Sequence, residues 1–154
     1  ILMLPRTWIY ELVEAWYPET AWNPHGDNIA IVSSHEKYEG RKDYAEIGGC
    51  FYAARLAIAE KLSEEKRQAG AVILRETHPG YIMPVGVWNV RENVRNALRQ
   101  EPKTFDELKD ALFYMSTRLD IKIDTWKKYS EVLRDSLFQT RLEDFGRDGD
   151  RHWN

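Results

Sequence analysis

The chain has 154 residues, of which 43% are hydrophobic and 12% aromatic, and this is enough to fill the core of one domain. Its formal charge of −3 excludes a strongly basic nucleic-acid binder, so any contact with DNA is expected from a local patch or through a partner. Cys50 is the single cysteine, which excludes an intrachain disulfide and any cysteine-based zinc cluster within this chain, so we expect no structural zinc.

The sequence carries no membrane or export signal. It has no run of about 18 apolar residues and no signal-peptide pattern, and we expect a soluble, cytoplasmic protein with no membrane partner. The chain starts at Ile1-Leu2-Met3 without an initiator methionine in first place, which suggests a piece of a longer protein.

The first half of the sequence predicts two strands and a helix. Residues 8–16 are rich in aromatic and β-branched side chains, which favours a strand. A loop over residues 18–28 leads into a second apolar strand at 29–33, and a polar turn is predicted from His35 to Asp43. Beyond Gly48-Gly49, apolar residues recur at helical spacing, which predicts a helix that closes near residues 66–68.

The second half predicts one strand and three helices. Residues 71–74 are short and continuously apolar, as in a strand buried on both faces, so strand, helix and strand form a predicted βαβ unit. A second helix is predicted over 87–98, and a capping box at 104–107 predicts a third that runs to about Arg118. Asp124 is predicted to cap a fourth helix, in which one face carries Trp126, Tyr129, Leu133 and Leu137.

These elements predict an α+β or α/β fold. A small mixed sheet would pack against about four helices, and the carboxy-terminal part would be helical. The predicted domain covers residues 1–138, a peptide follows at 139–145, and we expect the polar tail at 146–154 to be disordered.

The predicted turn after the second strand is a first candidate catalytic site. It lies between a strand and a helix, where active sites of α/β sheets are common. Glu36 and Glu39 could hold a divalent metal for phosphodiester hydrolysis, while Arg41 and Lys42 stabilise phosphate charge. The alternative is a solvated connecting loop. The whole polar cluster comprises His35, Glu36, Glu39, Arg41, Lys42, Asp43 and Glu46.

A second candidate lies at the end of the buried strand. Glu76 could act as a general base and His78 as a metal ligand or acid, because residues at such an end project into a crevice. The alternative is structural, with Arg75 and Glu76 paired to Arg91 and Glu92.

Two further features suggest phosphate binding. Arg91, Arg95 and Arg99 are spaced at i, i+4 and i+8 on the second helix, so they line one face and could track DNA phosphates. The alternative is an ordinary exposed face with charge pairs. Gly48-Gly49 at a helix start could cradle a phosphate on backbone amides, although tight packing explains the pair equally well.

Residues 139–145 resemble a peptide that binds the PCNA sliding clamp. Such a peptide has a glutamine, an aliphatic residue three positions on and an aromatic residue six positions on, and these are Gln139, Leu142 and Phe145. A short helical turn would join Leu142 and Phe145 into a hydrophobic plug, while the Gln139 amide binds a polar pocket. Gly146 replaces the second aromatic residue of the usual form. The alternative is that Leu142 and Phe145 end an amphipathic helix and pack on the domain.

Several segments, taken in order, carry a wider resemblance. They are Leu4-Pro5-Arg6, Gly40-Arg41-Lys42, Gly48 to Ala57, Arg67-Gln68-Ala69, Val72 to Glu76 and Pro84 to Glu92. Their order and residue identities are similar to those of the carboxy-terminal region of the archaeal Nre DNA-repair family. The resemblance implies a larger protein with an amino-terminal domain, a role in DNA-damage tolerance, and a clamp-binding peptide at residues 139–145.

We therefore expect a DNA-repair factor with PCNA and DNA as partners. A rival hypothesis is a metal-dependent nuclease or phosphoesterase whose site is completed by the amino-terminal domain. A third is that the last helix belongs to the core and that the match at 139–145 is accidental.

Overall fold

The structure, a computed structural model, describes residues 1–81 and 86–138. Within these ranges the strands are β1 (Leu2–Leu4), β2 (Ile9–Trp16), β3 (Ala30–Glu36) and β4 (Gly70–Thr77). The helices are α1 (Gly49–Glu64), α2 (Gly86–Leu98), α3 (Leu108–Ser116), α4 (Ile123–Tyr129) and α5 (131–138). The described residues contain no helix with the length and apolar character needed to span a membrane.

The four strands form one mixed sheet in the order β1-β4-β2-β3. Strands β2 and β4 are parallel and form the centre, with Ile9 opposite Gly70 and Trp16 opposite Thr77. The edge strands β1 and β3 run antiparallel to their neighbours. The prediction that β3, α1 and β4 form a βαβ unit is therefore wrong, because β2 lies between β3 and β4 and is the strand parallel to β4.

Helices cover both faces of the sheet. All eight residues of β2 are buried, as expected for a strand with helices on either side. Tyr10 and Leu12 face α1 and α2 and join a core that includes Phe51 and Ile58. The alternate residues face α3, α4 and α5, where Val13 packs with Trp126. The predicted α+β or α/β class is confirmed.

Some predicted strand boundaries are wrong. Strand β3 continues to Glu36, so His35 and Glu36 belong to the sheet and the turn begins only at residue 37. Strand β4 continues to Thr77 because its polar end still pairs with β2. Strand β1 was not predicted, since three residues before Pro5 are too few to show an alternating pattern.

The predicted helix caps at 104–107 and at Asp124 are wrong as well. Helix α3 begins at Leu108 and ends at Ser116, and the carboxylate of Glu107 pairs with Lys109 (2.7 Å) instead of reaching back. Helix α4 has Lys122 at its N-cap, whereas Asp124 lies in the first turn and pairs with Lys127 (3.0 Å).

The predicted fourth helix is two helices, because Ser130 interrupts it. Its backbone is extended, with ψ of 118°, and its hydroxyl accepts a hydrogen bond from the amide of Leu133 (3.0 Å). Ser130 thus caps α5. The buried carboxylate of Glu11 on β2 accepts from the Ser130 hydroxyl, from the amide of Glu131 (2.9 Å) and from the amide of Val132 (3.2 Å). Desolvation raises the pKa of Glu11, and these hydrogen bonds oppose that shift. The sheet therefore fixes where α5 starts.

Candidate functional site

An open cleft of about 600 Å³ lies against the carboxyl-terminal half of the parallel strand β4. In α/β sheets this carboxyl end of parallel strands is the usual place for a ligand. We call it the carboxyl-edge cleft. The end of β4 and the loop after it form one wall and α2 the other, and the lining includes Arg75, Glu76, Thr77, His78, Tyr81 and Asn93.

A largely buried ion pair between β2 and β4 holds Arg75, one of the residues that line the cleft. Glu14 and Arg75 are opposite each other on β2 and β4, and Arg75 Nη1 donates to Glu14 Oε1 at 2.9 Å. The Arg75 guanidinium also lies 5.2 Å from the ring centre of Trp16 and 5.6 Å from that of Tyr81. Burial raises the pKa of Glu14, and the charge of Arg75 partly offsets the shift. Arg75 is thereby held rigid at the edge of the cleft.

The predicted alternative pairing of Arg75 and Glu76 with α2 is wrong. Arg75 pairs with Glu14 because they are neighbours on adjacent parallel strands, which no local sequence pattern shows. Arg91 Nε instead lies 3.6 Å from Glu92 Oε1 on its own helix.

The structure places Glu76 and His78 close together and brings Asp120 to them. His78 Nε2 lies 3.5 Å from Glu76 Oε2 and 3.8 Å from Asp120 Oδ2, and one potential metal-binding atom from each residue lies within 4.8 Å of the others. Asp120 comes from the loop between α3 and α4, far along the chain. Sequence reasoning missed it, because an exposed aspartate in a loop carries no local signal.

Two contacts fix the geometry of this group. The carboxylate of Glu76 accepts hydrogen bonds from the amides of Asp120 (3.1 Å) and Ile121 (2.8 Å), which ties the loop to β4. The ring of Tyr17 stacks on His78 with centroids 4.3 Å apart. Desolvation raises the pKa of Tyr17, with a further contribution from the negative charges of Glu76 and Asp120.

Glu36 and Glu39 lie elsewhere. Glu36 is opposite Tyr10 near the start of β2, whereas Glu76 is opposite Ala15, so the two acids are about 16 Å apart along the strand direction. Glu36 is buried, and its Oε1 accepts from Trp8 Nε1 (2.9 Å) and Arg55 Nε (2.6 Å). Glu39 is exposed in the turn. The structure therefore does not join these two acids to Glu76 and His78.

The predicted phosphate-binding residues differ in what they contact. Arg41 Nη1 donates to the backbone carbonyl of His35 (2.5 Å), while Lys42 is exposed. On α2, Arg95 binds both oxygens of Glu60 on α1 (2.9 and 2.8 Å) as well as Glu92, and Arg99 is exposed. The hydrogen bonds to Glu60 and Glu92 raise the pKa of Arg95, and the hydrogen bond from Arg95 lowers the pKa of Glu60. Arg95 therefore links the two helices.

The glycine pair at the start of α1 packs tightly. A Cβ atom on Gly49 would lie 2.6 Å from Cγ1 of Val87 on α2, and Gly48 has φ of +75°. Close helix contact thus explains Gly49. The predicted clamp-binding residues Gln139, Leu142 and Phe145 lie outside the described residues.

Comparison with known proteins places the chain in a family. A family model described as "Archaeal Nre, C-terminal" matches residues 36–145. The chain is 38% identical over 142 residues to DNA repair protein NreB of Archaeoglobus fulgidus, which covers 92% of this chain and 36% of that protein. It is 38% identical over 122 residues to DNA repair protein NreA of the same organism, covering 79% and 31%.

A third relative is DNA repair protein NreA of Haloferax volcanii, 32% identical over 147 residues that cover 94% of this chain and 34% of that protein. The chain thus spans about a third of the length of these curated relatives. No solved structure matches it.

Proposed function

The chain belongs to the archaeal Nre family, and on this premise we propose that it is the carboxy-terminal part of a DNA-repair factor recruited to the PCNA sliding clamp through residues 139–145. The DNA-repair role rests on relatives that are named DNA repair proteins. The observation that carries the clamp contact is the extent of the family match, which ends at residue 145 and so contains the whole peptide.

The peptide supplies two anchors and one polar contact. Leu142 and Phe145 would enter a hydrophobic pocket of the clamp, and the Gln139 amide would hydrogen-bond beside it. Gly146 offers no second aromatic ring, so the contact is expected to be weaker than that of a peptide with two. Helix α5, which precedes the peptide, is anchored to the sheet by Leu133, whose side chain is fully buried.

Calorimetric titration into purified archaeal PCNA tests this proposal. The parent chain is expected to bind, and the double variant Leu142→Ala/Phe145→Ala is expected to lose at least tenfold in affinity. Thr140→Ala/Asp144→Ala is the matched control, since it alters the same peptide at positions between the anchors and should bind like the parent. Equal affinity of all three proteins would refute the proposal.

Stability measurements distinguish a recruiting peptide from a piece of core. If residues 139–154 only contact the clamp, deleting them should leave the urea midpoint of the remaining chain unchanged. A lower midpoint, together with absent clamp binding, would support the alternative in which Leu142 and Phe145 pack on the domain.

We propose a metal-dependent nuclease or phosphoesterase as the second candidate, because Glu76, His78 and Asp120 form a group of potential metal ligands at the cleft. Carboxylate and imidazole groups can hold a metal ion that activates water for phosphodiester hydrolysis. Cleavage of labelled DNA with Mn²⁺, lost in His78→Gln but kept in Leu142→Ala/Phe145→Ala, would establish this activity. No cleavage by the full-length protein would remove it.

We further propose that the protein contacts DNA, that an amino-terminal domain precedes this part in the full-length protein, and that the protein acts in the cytoplasm. Among the residues predicted to bind DNA phosphates, Lys42 and Arg99 are exposed, so we propose that these two make the contact. Arg95 is held by Glu60 and Glu92 and contributes less.

A further inference from the structure

The geometry points to a site for a divalent transition-metal ion, formed by Glu76, His78 and Asp120 at the rim of the carboxyl-edge cleft. The inference is independent of clamp recruitment. It rests on the ligand group of the hydrolase proposal and deepens that proposal by naming the class of ion. Metal binding without hydrolysis would leave the site in place and exclude the enzyme.

The spacing of the three groups fits ligands around an ion better than a hydrogen-bonded pair. His78 Nε2 lies 3.5 Å from one carboxylate and 3.8 Å from the other. A charge-assisted hydrogen bond would close this gap to about 2.7–2.9 Å. Ligands at about 2.1 Å from a tetrahedral metal lie about 3.4 Å from each other. The distances from His78 Nε2 to the two carboxylates are close to that ligand-to-ligand distance.

The ligands are also held in place before any ion arrives. Glu76 is fixed by the amides of Asp120 and Ile121, so the loop that carries the third ligand is tied to the first. The stack on Tyr17 fixes the plane of the His78 ring. Such outer contacts orient ligands in known metal sites and raise their affinity for the ion.

Charge favours a cation at this position. Among the described residues, both carboxylates have His78 as their ion-pair partner, and Asp120 is 77% exposed. Two acids and one imidazole nitrogen are a mixed oxygen and nitrogen set. Mg²⁺ and Ca²⁺ prefer oxygen ligands alone, whereas Zn²⁺ and Mn²⁺ accept the imidazole, so a first-row transition metal is the expected ion.

A second observation indicates that the cleft beside this group accepts a ligand. The side chain of Thr77 lines the cleft and is 3% exposed, and its hydroxyl has no hydrogen-bond partner among the residues that the structure describes. A buried hydroxyl without a partner is costly, by about 1–3 kcal/mol. Successive side chains of a strand point to opposite faces, so the Thr77 hydroxyl faces the cleft with Arg75, while the Glu76 carboxylate faces the loop before α4. A ligand in the cleft and an ion held by Glu76, His78 and Asp120 would therefore lie on either side of the end of β4.

Calorimetric titration of the 154-residue chain with Zn²⁺ tests the site. The parent is expected to bind one ion per chain, and His78→Gln and Asp120→Asn are each expected to weaken binding at least tenfold. Glu76 is left unchanged because its carboxylate also anchors a loop. Asp120→Asn keeps the backbone amide that Glu76 binds, so this variant is expected to fold.

Two exposed residues of the loop before β3 provide matched controls. His25→Gln and Asp27→Asn remove the same chemical groups outside the cluster and should bind Zn²⁺ like the parent. Co²⁺ absorption gives a second readout, since loss of an imidazole ligand in His78→Gln changes the visible spectrum. Absence of stoichiometric binding, or equal affinity in the parent and both cluster variants, would overturn the inference. So would a loss in the controls as large as that in the cluster variants.

Discussion

Substituting Glu11 by glutamine tests whether a carboxylate on the sheet fixes the start of α5. Glu11 is completely buried, and its two oxygens accept three hydrogen bonds from Ser130, Glu131 and Val132. Glutamine offers one acceptor oxygen and a donor group, so at least one of the three donors would face another donor. A buried donor left unsatisfied costs about 1–3 kcal/mol, and a hydrogen bond to a charged acceptor contributes about 1.5–3 kcal/mol.

Part of this loss is offset, because glutamine avoids the cost of burying a charge. Burial penalises the ionised form of Glu11 and so raises its pKa in the folded chain. We therefore expect Glu11→Gln to lower the free energy of unfolding by about 2–3 kcal/mol. Urea denaturation followed by tryptophan fluorescence measures this, since the buried Trp126 lies on the same face of the sheet.

The companion variant Ser130→Ala makes the test specific. It removes the N-cap of α5 and one of the donors to Glu11, at an expected cost of about 1–2 kcal/mol. The double variant should lose less than the sum of the single variants, because both act on one hydrogen-bonded group. A loss below about 0.5 kcal/mol for Glu11→Gln, or strict additivity, would refute this reasoning.

Two more predictions follow from buried contacts. Burial raises the pKa of Glu14 above 4.5, so the associated stability is present below pH 4.5 and is lost as pH rises through the folded-state pKa. In urea denaturation, the stability of the parent relative to Glu14→Gln should therefore fall as the pH rises above about 4.5, and a rising difference would contradict this. Gly49→Ala should lower thermal stability by about 1–3 kcal/mol because its Cβ meets Val87 at 2.6 Å. Adding Val87→Ala should restore most of the loss, and no recovery would exclude this contact as the cause.

The sequence was most informative for helices and strands that a single local hydrophobic pattern is enough to predict. Helix α1 was predicted from alanines and large apolar residues at helical spacing, and the strand at 71–74 from its uninterrupted apolar run. The strand order could not be predicted. Whether β2 or β3 pairs with β4 depends on which strand can be buried on both faces, and that is decided by packing across the whole sheet.

In the candidate site, too, sequence patterns could indicate only the contacts between residues that are close along the chain. Glu76 and His78 are two residues apart at a strand end, so their proximity could be inferred. Asp120 and Glu14 reach the site from distant parts of the chain, and only the fold places them there. Glu36 was assigned to the predicted turn because a polar side chain is not expected in a buried strand. In the structure it is the last residue of β3, and its carboxylate accepts hydrogen bonds from Trp8 and Arg55.

The contact between Glu11 and the start of α5 has a consequence for how the chain folds. Glu11 and Ser130 are separated by 119 residues, and Arg6 hydrogen-bonds to Ser136 across 130. Contacts between residues so far apart slow folding, because a long loop must close before they form. During synthesis, β2 leaves the ribosome long before α3, α4 and α5, so the face of the sheet that these helices cover stays exposed until they are made. A charged Glu11 on that face disfavours burial against a wrong partner until the amides of α5 arrive.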